Sequence, residues 1–228
     1  VEGLGETLVR RHTILSVVSG SRAYGLDVAG SDTDRRGVFA APTALYWRFD
    51  KPPTHADGPR EEEFSWEVER FCELALGANP TVLECLWSPI VEKITPDGEE
   101  LLAIRDAFVS RHAHRTFLAY AEAQFRRLRG FTSARDRKHA MHLLRLLLSG
   151  THLLEHGEPL VRVGEHRDRL NAVRHGETPW EEVLAWRAEL TAGLDRRLAG
   201  SPLPEEPDRD RVERFLIALR RRRVDVEL

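Results

Sequence analysis

Residues 17–39, VVSGSRAYGLDVAGSDTDRRGVF, collect the residue types that handle phosphate and hard metal ions. A glycine, Gly20, lets backbone approach a phosphate closely, and the neighbouring Ser21 adds a hydroxyl donor. Ten residues then intervene before Asp32-Thr33-Asp34. Side chains alternate along a strand, so carboxylates at i and i+2 point the same way, about 7 Å apart. Two carboxylates on one face suit Mg²⁺, which prefers oxygen ligands shared with substrate phosphates. A pair of such ions can activate an attacking oxygen and stabilise a leaving pyrophosphate. The plainer reading is that Asp32 and Asp34 cap a turn after Gly30-Ser31.

Weaker constellations lie further along. Lys138, His142 and Arg145 fall at helical spacings of four and three, so they share a face. That face is either a cationic wall for nucleotide phosphates or an RNA, or a solvated side of a core helix. Arg135 or Arg137 with His142 also fits the loose Arg-x(4–6)-His pattern of helical HEPN-type ribonucleases, a pairing that arises easily among so many Arg and His. His152 and His156 are four apart but have no third metal ligand in view. Tyr24 and Trp47 can stack on a base or simply pack. Arg126, Arg127 and Arg129, and separately Arg220 to Arg223, are basic clusters that either face solvent or contact a phosphate backbone.

The surrounding elements must hold these residues in place. Thr13–Ser19 reads as a buried strand after a short helix, Glu2–His12, with Leu4, Leu8 and Val9 on one side. Asp34–Ala40 and Glu61–Trp66 read as further strands, the latter with Phe64 and Trp66 on one face and Glu61 and Glu63 on the other. Thr54–Arg60 reads as a polar loop. Helical spacing follows from Val68, and Asn79-Pro80 is an N-cap with proline in the first turn. After about Pro89 helices dominate, near 115–129, 136–154, 164–175, 179–198 and 208–222, the fourth capped by Thr178. The expected fold class is therefore an α/β (α+β) N-terminal domain with a short mixed sheet, residues 1–90, followed by an all-α helical domain, residues 91–228.

The chain's 228 residues carry 34 basic and 37 acidic side chains, a net charge of −3, so a polyanion must be met by a local patch rather than the whole molecule. Only two cysteines occur, Cys72 and Cys85, which excludes a disulfide scaffold and fits a reducing cytoplasm. No apolar run approaches a membrane span, the first residues do not read as a signal peptide, and nothing calls for an obligate protein partner.

The ordered strand, Gly-Ser, spacer and Asp-x-Asp resembles the DNA polymerase β-like nucleotidyltransferase superfamily. GSRAYGL, SDTDRRGV, ALGANPTVLECLW and Lys138-His139-Ala140-x-His142-x-x-Arg145 are similar to its bacterial branch associated with RNA repair and RNA ligase. The likeness is dense from about Val18 to Pro89 and thin beyond Leu148. It implies that Gly20, Ser21, Arg22 and Ser31 grip the triphosphate of an NTP, with Lys138, His142 and Arg145 contributing. It implies that Asp32 and Asp34 bind two Mg²⁺ or Mn²⁺ ions, and that a third carboxylate on a neighbouring strand helps activate the acceptor hydroxyl. The matching position is Glu62, flanked by Glu61 and Glu63, where strand alternation and family register differ by one residue. The implied reaction moves an NMP from an NTP to a hydroxyl, with an RNA end as the acceptor. A small-molecule or protein acceptor, or a non-catalytic NTP- or RNA-binding module, is the alternative. The site is expected in the cleft between the two domains.

Overall fold

The computed structural model describes residues 3–128 and 131–228. Glu2 and Arg129 lie outside the described residues. The chain opens with α1 (Leu4–His12), whose Leu8 and Val9 are buried while Leu4 faces solvent. It leads directly into β1 (Thr13–Val18), buried along its whole length as a central strand of β-branched residues should be. A single helical turn, α2 (Gly20–Tyr24), follows, and then the loop to β2 (Arg35–Phe39). A 3₁₀ turn, Thr43–Trp47, precedes β3 (His55–Asp57) and β4 (Glu63–Glu67). Next come α3 (Val68–Leu76), α4 (Pro80–Leu86), β5 (Val91–Ile94) and α5 (Pro96–Ala103).

The five strands form one mixed sheet in the order β3-β4-β2-β1-β5. β1 is antiparallel to β2 and β5, β2 is parallel to β4 with Arg35 opposite Glu63, and β3 is antiparallel to β4. The mixed sheet agrees with the sequence expectation, but two strands were not foreseen. β3 falls inside the stretch read as a loop, because it is three residues long and polar. β5 is exposed along its length and lacks any alternation, and it carries the sheet past residue 90. Both are edge strands, where short length limits unwanted pairing.

The remaining helices are α6 (Ala113–Arg126), α7 (Ala134–His156), α8 (Arg167–His175), α9 (Trp180–Gly200) and α10 (Arg209–Arg222). They match the periodicity closely, except that α9 begins at Trp180 without a Thr178 cap. The 23-residue α7 is the axis of this half, packed against α6, α8 and α9. Ser133 caps it by accepting from the Asp136 N–H at 3.0 Å, and its hydroxyl donates to the Asp136 carboxylate at 2.6 Å. Among the described residues no helix is long and apolar enough to cross a membrane.

One apolar core runs from Ile14 on β1 through Leu83 on α4 and Leu144 on α7 to Leu219 on α10. A smaller cluster, with Leu8, Val9 and Phe39, lies under α1. Cys72 and Cys85 are buried free thiols, the latter pushed by burial up to about 12, so both are inert packing groups. Inside the large core lies one ion pair. Arg145 of α7 is 5% exposed and Glu84 of α4 is 3% exposed, and their Nη1 and Oε1 atoms are 2.5 Å apart. The same guanidinium sits 3.8 Å from the centre of the Tyr24 ring, and the Tyr24 hydroxyl donates to the other Glu84 oxygen at 2.9 Å.

Removing one member of a buried ion pair leaves the other charge uncompensated, which costs about 3–5 kcal/mol. Arg145→Ala should lower unfolding stability by about that amount in chemical denaturation. A loss under about 1 kcal/mol, as for an exposed pair, would contradict this role.

Candidate active site

The site forms where β1 ends and β2 begins. Gly20 adopts φ +67°, a left-handed conformation that glycine takes at little cost. A Cβ there would stand 2.9 Å from Asp34 Cγ and closer still to its Oδ2. The glycine is thus required twice, for its backbone angle and for the Asp34 carboxylate lodged against it. The Ser19 N–H donates to the Asp34 carbonyl at 2.8 Å and fixes the two segments side by side. The ordered strand starts only at Arg35, so both aspartates precede it rather than sitting on it.

Gly20, Ser21, Ser31, Asp32 and Asp34 line one cavity of about 280 Å³, together with Tyr24, Lys138, Met141, His142 and Arg174. Residues more than a hundred positions apart in sequence thus line the same cavity. Helix α7 supplies Lys138 and His142 to the lining. The loop wall is braced by Arg22, whose Nη2 donates to the Ser31 carbonyl at 2.8 Å and whose Nε donates to the Asp32 carbonyl at 3.2 Å. Arg22 therefore shapes the loop instead of standing free for phosphate. The Ser31 hydroxyl accepts from the Val28 N–H at 2.9 Å and tightens the same loop.

Two expected members of the cationic wall behave differently. Arg145 is not on the cavity wall, because Glu84 and the Tyr24 ring hold it in the core beneath. Burial first, and then the charges of Arg145 and Lys138, push the His142 imidazole down to about 3, so it is neutral near pH 7. Lys138 remains the exposed cation of the three. The cation missed by sequence reasoning is Arg174 of α8, which lines the cavity while donating to the Leu26 carbonyl at 2.9 Å. Its neighbour Arg167 donates to the Gly25 carbonyl at 2.8 Å, and the Val163 N–H donates to the Tyr24 carbonyl at 3.1 Å. Only the fold reveals that α8 fastens onto the segment just after α2, since nothing in its local sequence marks it.

The acidic strand is less complete. Glu62 adopts φ +53° and lies just outside β4, although its carbonyl accepts from the Arg35 N–H at 2.8 Å and extends the ladder so that Glu62 stands beside Asp34. Its side chain lines a separate concavity with Arg36, Arg60 and Phe64. The Arg36 guanidinium stands between the two, 3.6 Å from Asp34 and 3.3 Å from the Glu62 carbonyl. Glu63 is taken up by Arg60: burial works to raise its carboxyl, but hydrogen bonds from Arg60 outweigh this and hold it below the usual range. Among the described residues no three of His, Cys, Asp and Glu are grouped to hold a metal ion.

The donor set nevertheless fits a hard divalent ion in part. Two carboxylates with adjacent serine hydroxyls are oxygen ligands of the kind Mg²⁺ and Mn²⁺ take, with substrate phosphates free to complete the shell. His152 and His156 pack ring to ring at 4.3 Å, with no third ligand grouped with them among the described residues. Arg135 lines a different concavity from His142, and Arg137 donates to the Thr132 carbonyl at 2.8 Å, so neither builds the ribonuclease pair. Tyr24 is committed to Glu84, whereas Trp47 is largely exposed. The Arg220–Arg223 run is a clamp: Arg220 pairs with Glu67 at 2.9 Å, Arg222 with Glu100 at 2.6 Å and Arg223 with Asp97 at 3.5 Å.

The depressed His142 imidazole links folding to pH. The unfolded chain binds a proton near the model-peptide value of 6.5, whereas the folded protein binds it only near 3. Between those values the unfolded state holds the extra proton, so the His142 contribution is full above 6.5 and is lost as pH falls. Unfolding stability measured across that window should fall less steeply in His142→Gln than in the wild type, and parallel curves would contradict the assignment.

Comparison with known proteins accords with this geometry. Neither the curated proteins nor the solved structures compared yield a match to the chain. The family model described as RlaP, RNA repair pathway DNA polymerase beta family, matches residues 6–218. That span takes in the Gly20-Ser21 turn, both aspartates and the α7 and α8 cations that meet them. The chain belongs to the RNA repair pathway DNA polymerase beta family, whose membership supports nucleotidyltransferase activity.

Proposed function

We propose that this cavity transfers a nucleoside monophosphate from an NTP to a hydroxyl at an RNA end, releasing pyrophosphate. The observation that carries the proposal is the lodging of Asp34 against Gly20, which puts a carboxylate beside the Gly20-Ser21 turn in the cavity that Lys138 also lines. In the proposed reaction the acceptor oxygen bonds to the α-phosphorus while the bond to the β-phosphate oxygen breaks. The hydroxyl proton leaves to a cavity carboxylate or to water, and the electron pair of the broken bond leaves with pyrophosphate.

Each residue has a distinct task in this reading. The Gly20-Ser21 turn allows the triphosphate to approach the backbone, and the Ser21 hydroxyl can donate to it. Lys138 and Arg174 place positive charge opposite the phosphates, Lys138 as a point charge and Arg174 from a fixed position. Neutral His142 can donate one hydrogen bond without adding charge. Asp32 and Asp34 would hold Mg²⁺ or Mn²⁺, with Glu62 the nearest further carboxylate along the ladder. Such an ion, when bound, supplies Lewis-acid charge to the acceptor oxygen and the leaving pyrophosphate.

The test follows label from each NTP onto small bacterial RNA, with Mg²⁺ or Mn²⁺ present. Asp32→Ala and Asp34→Ala should each reduce transfer by at least about 10²-fold, as expected for loss of transition-state charge stabilisation, while retaining a cooperative unfolding transition. Transfer retained in both variants would overturn the site. Binding of NTP without transfer to any RNA would favour a small-molecule or protein acceptor, or a binding module.

A further inference from the structure

Positive charge does not stop at the edge of the catalytic cavity. A second concavity of about 510 Å³ shares Tyr24 and His142 with it and is lined by Tyr120, Gln124 and Arg127. A third, of about 960 Å³, shares Arg127 with the second and adds Arg126, Arg135 and His139. The second and third, which share Arg127, make a trough lined from both α6 and α7, and it meets the first cavity at Tyr24 and His142. Arg135, Lys138 and His142 lie at i, i+3 and i+7 of α7, a rise of about 10 Å along one helix face.

Most arginines of this net-acidic chain are spoken for, by carboxylates as in the Arg220–Arg223 clamp or by carbonyls as in Arg22 and Arg167. Among the described residues Arg126, Arg127, Arg135 and Lys138 have no carboxylate partner. The one acid in the trough, Asp136, is buried at the α7 cap and accepts from Ser133. The crowding is felt locally: burial first, and then Arg135 and Arg127, lower the His139 imidazole, whose Nδ1 lies 2.9 Å from Gln124 Oε1. Cations that outnumber their counter-charge disfavour the folded state, which is what a surface prepared for an anionic ligand must tolerate.

The trough extends beyond what one nucleotide can occupy. The catalytic cavity already contains the groups suited to a triphosphate, and the cations continue past it. A repeating polyanion accounts for that continuation. Tyr120 adds a partly exposed ring, its hydroxyl held by the Asn79 amide at 2.7 Å, and such a ring offers a base a stacking surface.

We propose that the α6–α7 trough is the track for the acceptor strand: a single-stranded RNA segment lies along it, with Arg127, Arg126 and Arg135 on its phosphates and Tyr120 under a base, and delivers its terminal hydroxyl past His142. This builds on the transfer reading above, and its test separates the two. The probe is a short fluorescein-labelled single-stranded RNA with a free 3′ hydroxyl, titrated against the full chain over a range of salt. Arg126→Ala/Arg127→Ala/Arg135→Ala should weaken RNA binding at least fivefold. Removing three contacts should also reduce the log–log salt slope by about 2, at roughly 0.7 per single-strand phosphate contact. NTP binding by the same preparation should be unchanged, which shows that the catalytic cavity is intact, and the triple Arg→Lys variant should keep most of the salt slope. The control Arg196→Ala/Arg214→Ala removes exposed charge elsewhere and should bind like the wild type.

An effect under fivefold, an equal effect in the control, or a wild type that does not bind the RNA would each overturn the track. Asp34→Ala that binds RNA normally but transfers nothing leaves the track standing and reports on the chemistry alone. If the wild type transfers no label while the trough variants still lose RNA binding, the transfer reading fails and the track survives.

Discussion

The Arg145 guanidinium lies between the Glu84 carboxylate and the face of the Tyr24 ring, with almost no solvent reaching it. Burial opposes the charge and Glu84 restores it. This charge must be neutralised where it stands, so α4, α7 and the α2 turn are held at fixed separations by hydrogen bonds that cannot be exchanged for water. Tyr24 is four residues after Gly20, and Arg145 is seven after Lys138. The buried cluster therefore ties the Gly20-Ser21 turn to the α7 side chains that line the same cavity. From the far side α8 fastens onto the Gly25 and Leu26 carbonyls, so the turn is gripped from both directions.

Within that frame charge is sorted by depth. The deepest cation is spent on structure, His142 above it is neutral, and the free positive charge of Lys138 stands at the cavity rim. Asp34 is kept close to the chain by the absence of a side chain at Gly20. In the proposed function a nucleotide would meet both these carboxylates and Lys138, and a divalent ion and Lys138 would divide the phosphate charge between them. Where α6 and α7 face the trough, Arg126, Arg127, Arg135 and Lys138 have no carboxylate partner among the described residues, although the chain as a whole is acidic. Net charge conceals this, because only the fold separates arginines that are paired from those that are not.

The sequence was most legible where a pattern has one physical cause. The Gly-Ser turn and the two aspartates could be located from the ordered run of β-branched strand, Gly-Ser, spacer and Asp-x-Asp and its family resemblance, although both aspartates precede the strand that the alternation placed them on. The long helices were legible from apolar periodicity, and Asn79-Pro80 from its capping chemistry, since the Asn79 side chain does accept from the Val82 N–H at 3.3 Å. Short exposed edges such as β3 and β5 were not, because they bury too little to impose a pattern. Helical spacing correctly put Lys138, His142 and Arg145 on neighbouring positions, but it could not tell a cavity wall from the layer beneath it. That distinction depended on Glu84, 61 positions away in sequence. Arg174 and Arg167 were invisible for the same reason, and Glu62 was displaced by a left-handed turn that no composition rule marks in a glutamate.

The central claim is that the Asp32–Asp34 loop and the Gly20-Ser21 turn form one nucleotide–metal site facing Lys138. It is tested most directly by a crystal structure with Mn²⁺ and a non-hydrolysable NTP analogue, read by anomalous scattering. The account predicts manganese density on the Asp32 and Asp34 carboxylates, with the triphosphate between the Gly20-Ser21 turn and Lys138. An analogue bound elsewhere on the molecule, or bound in this cavity with no manganese at either aspartate, would contradict it.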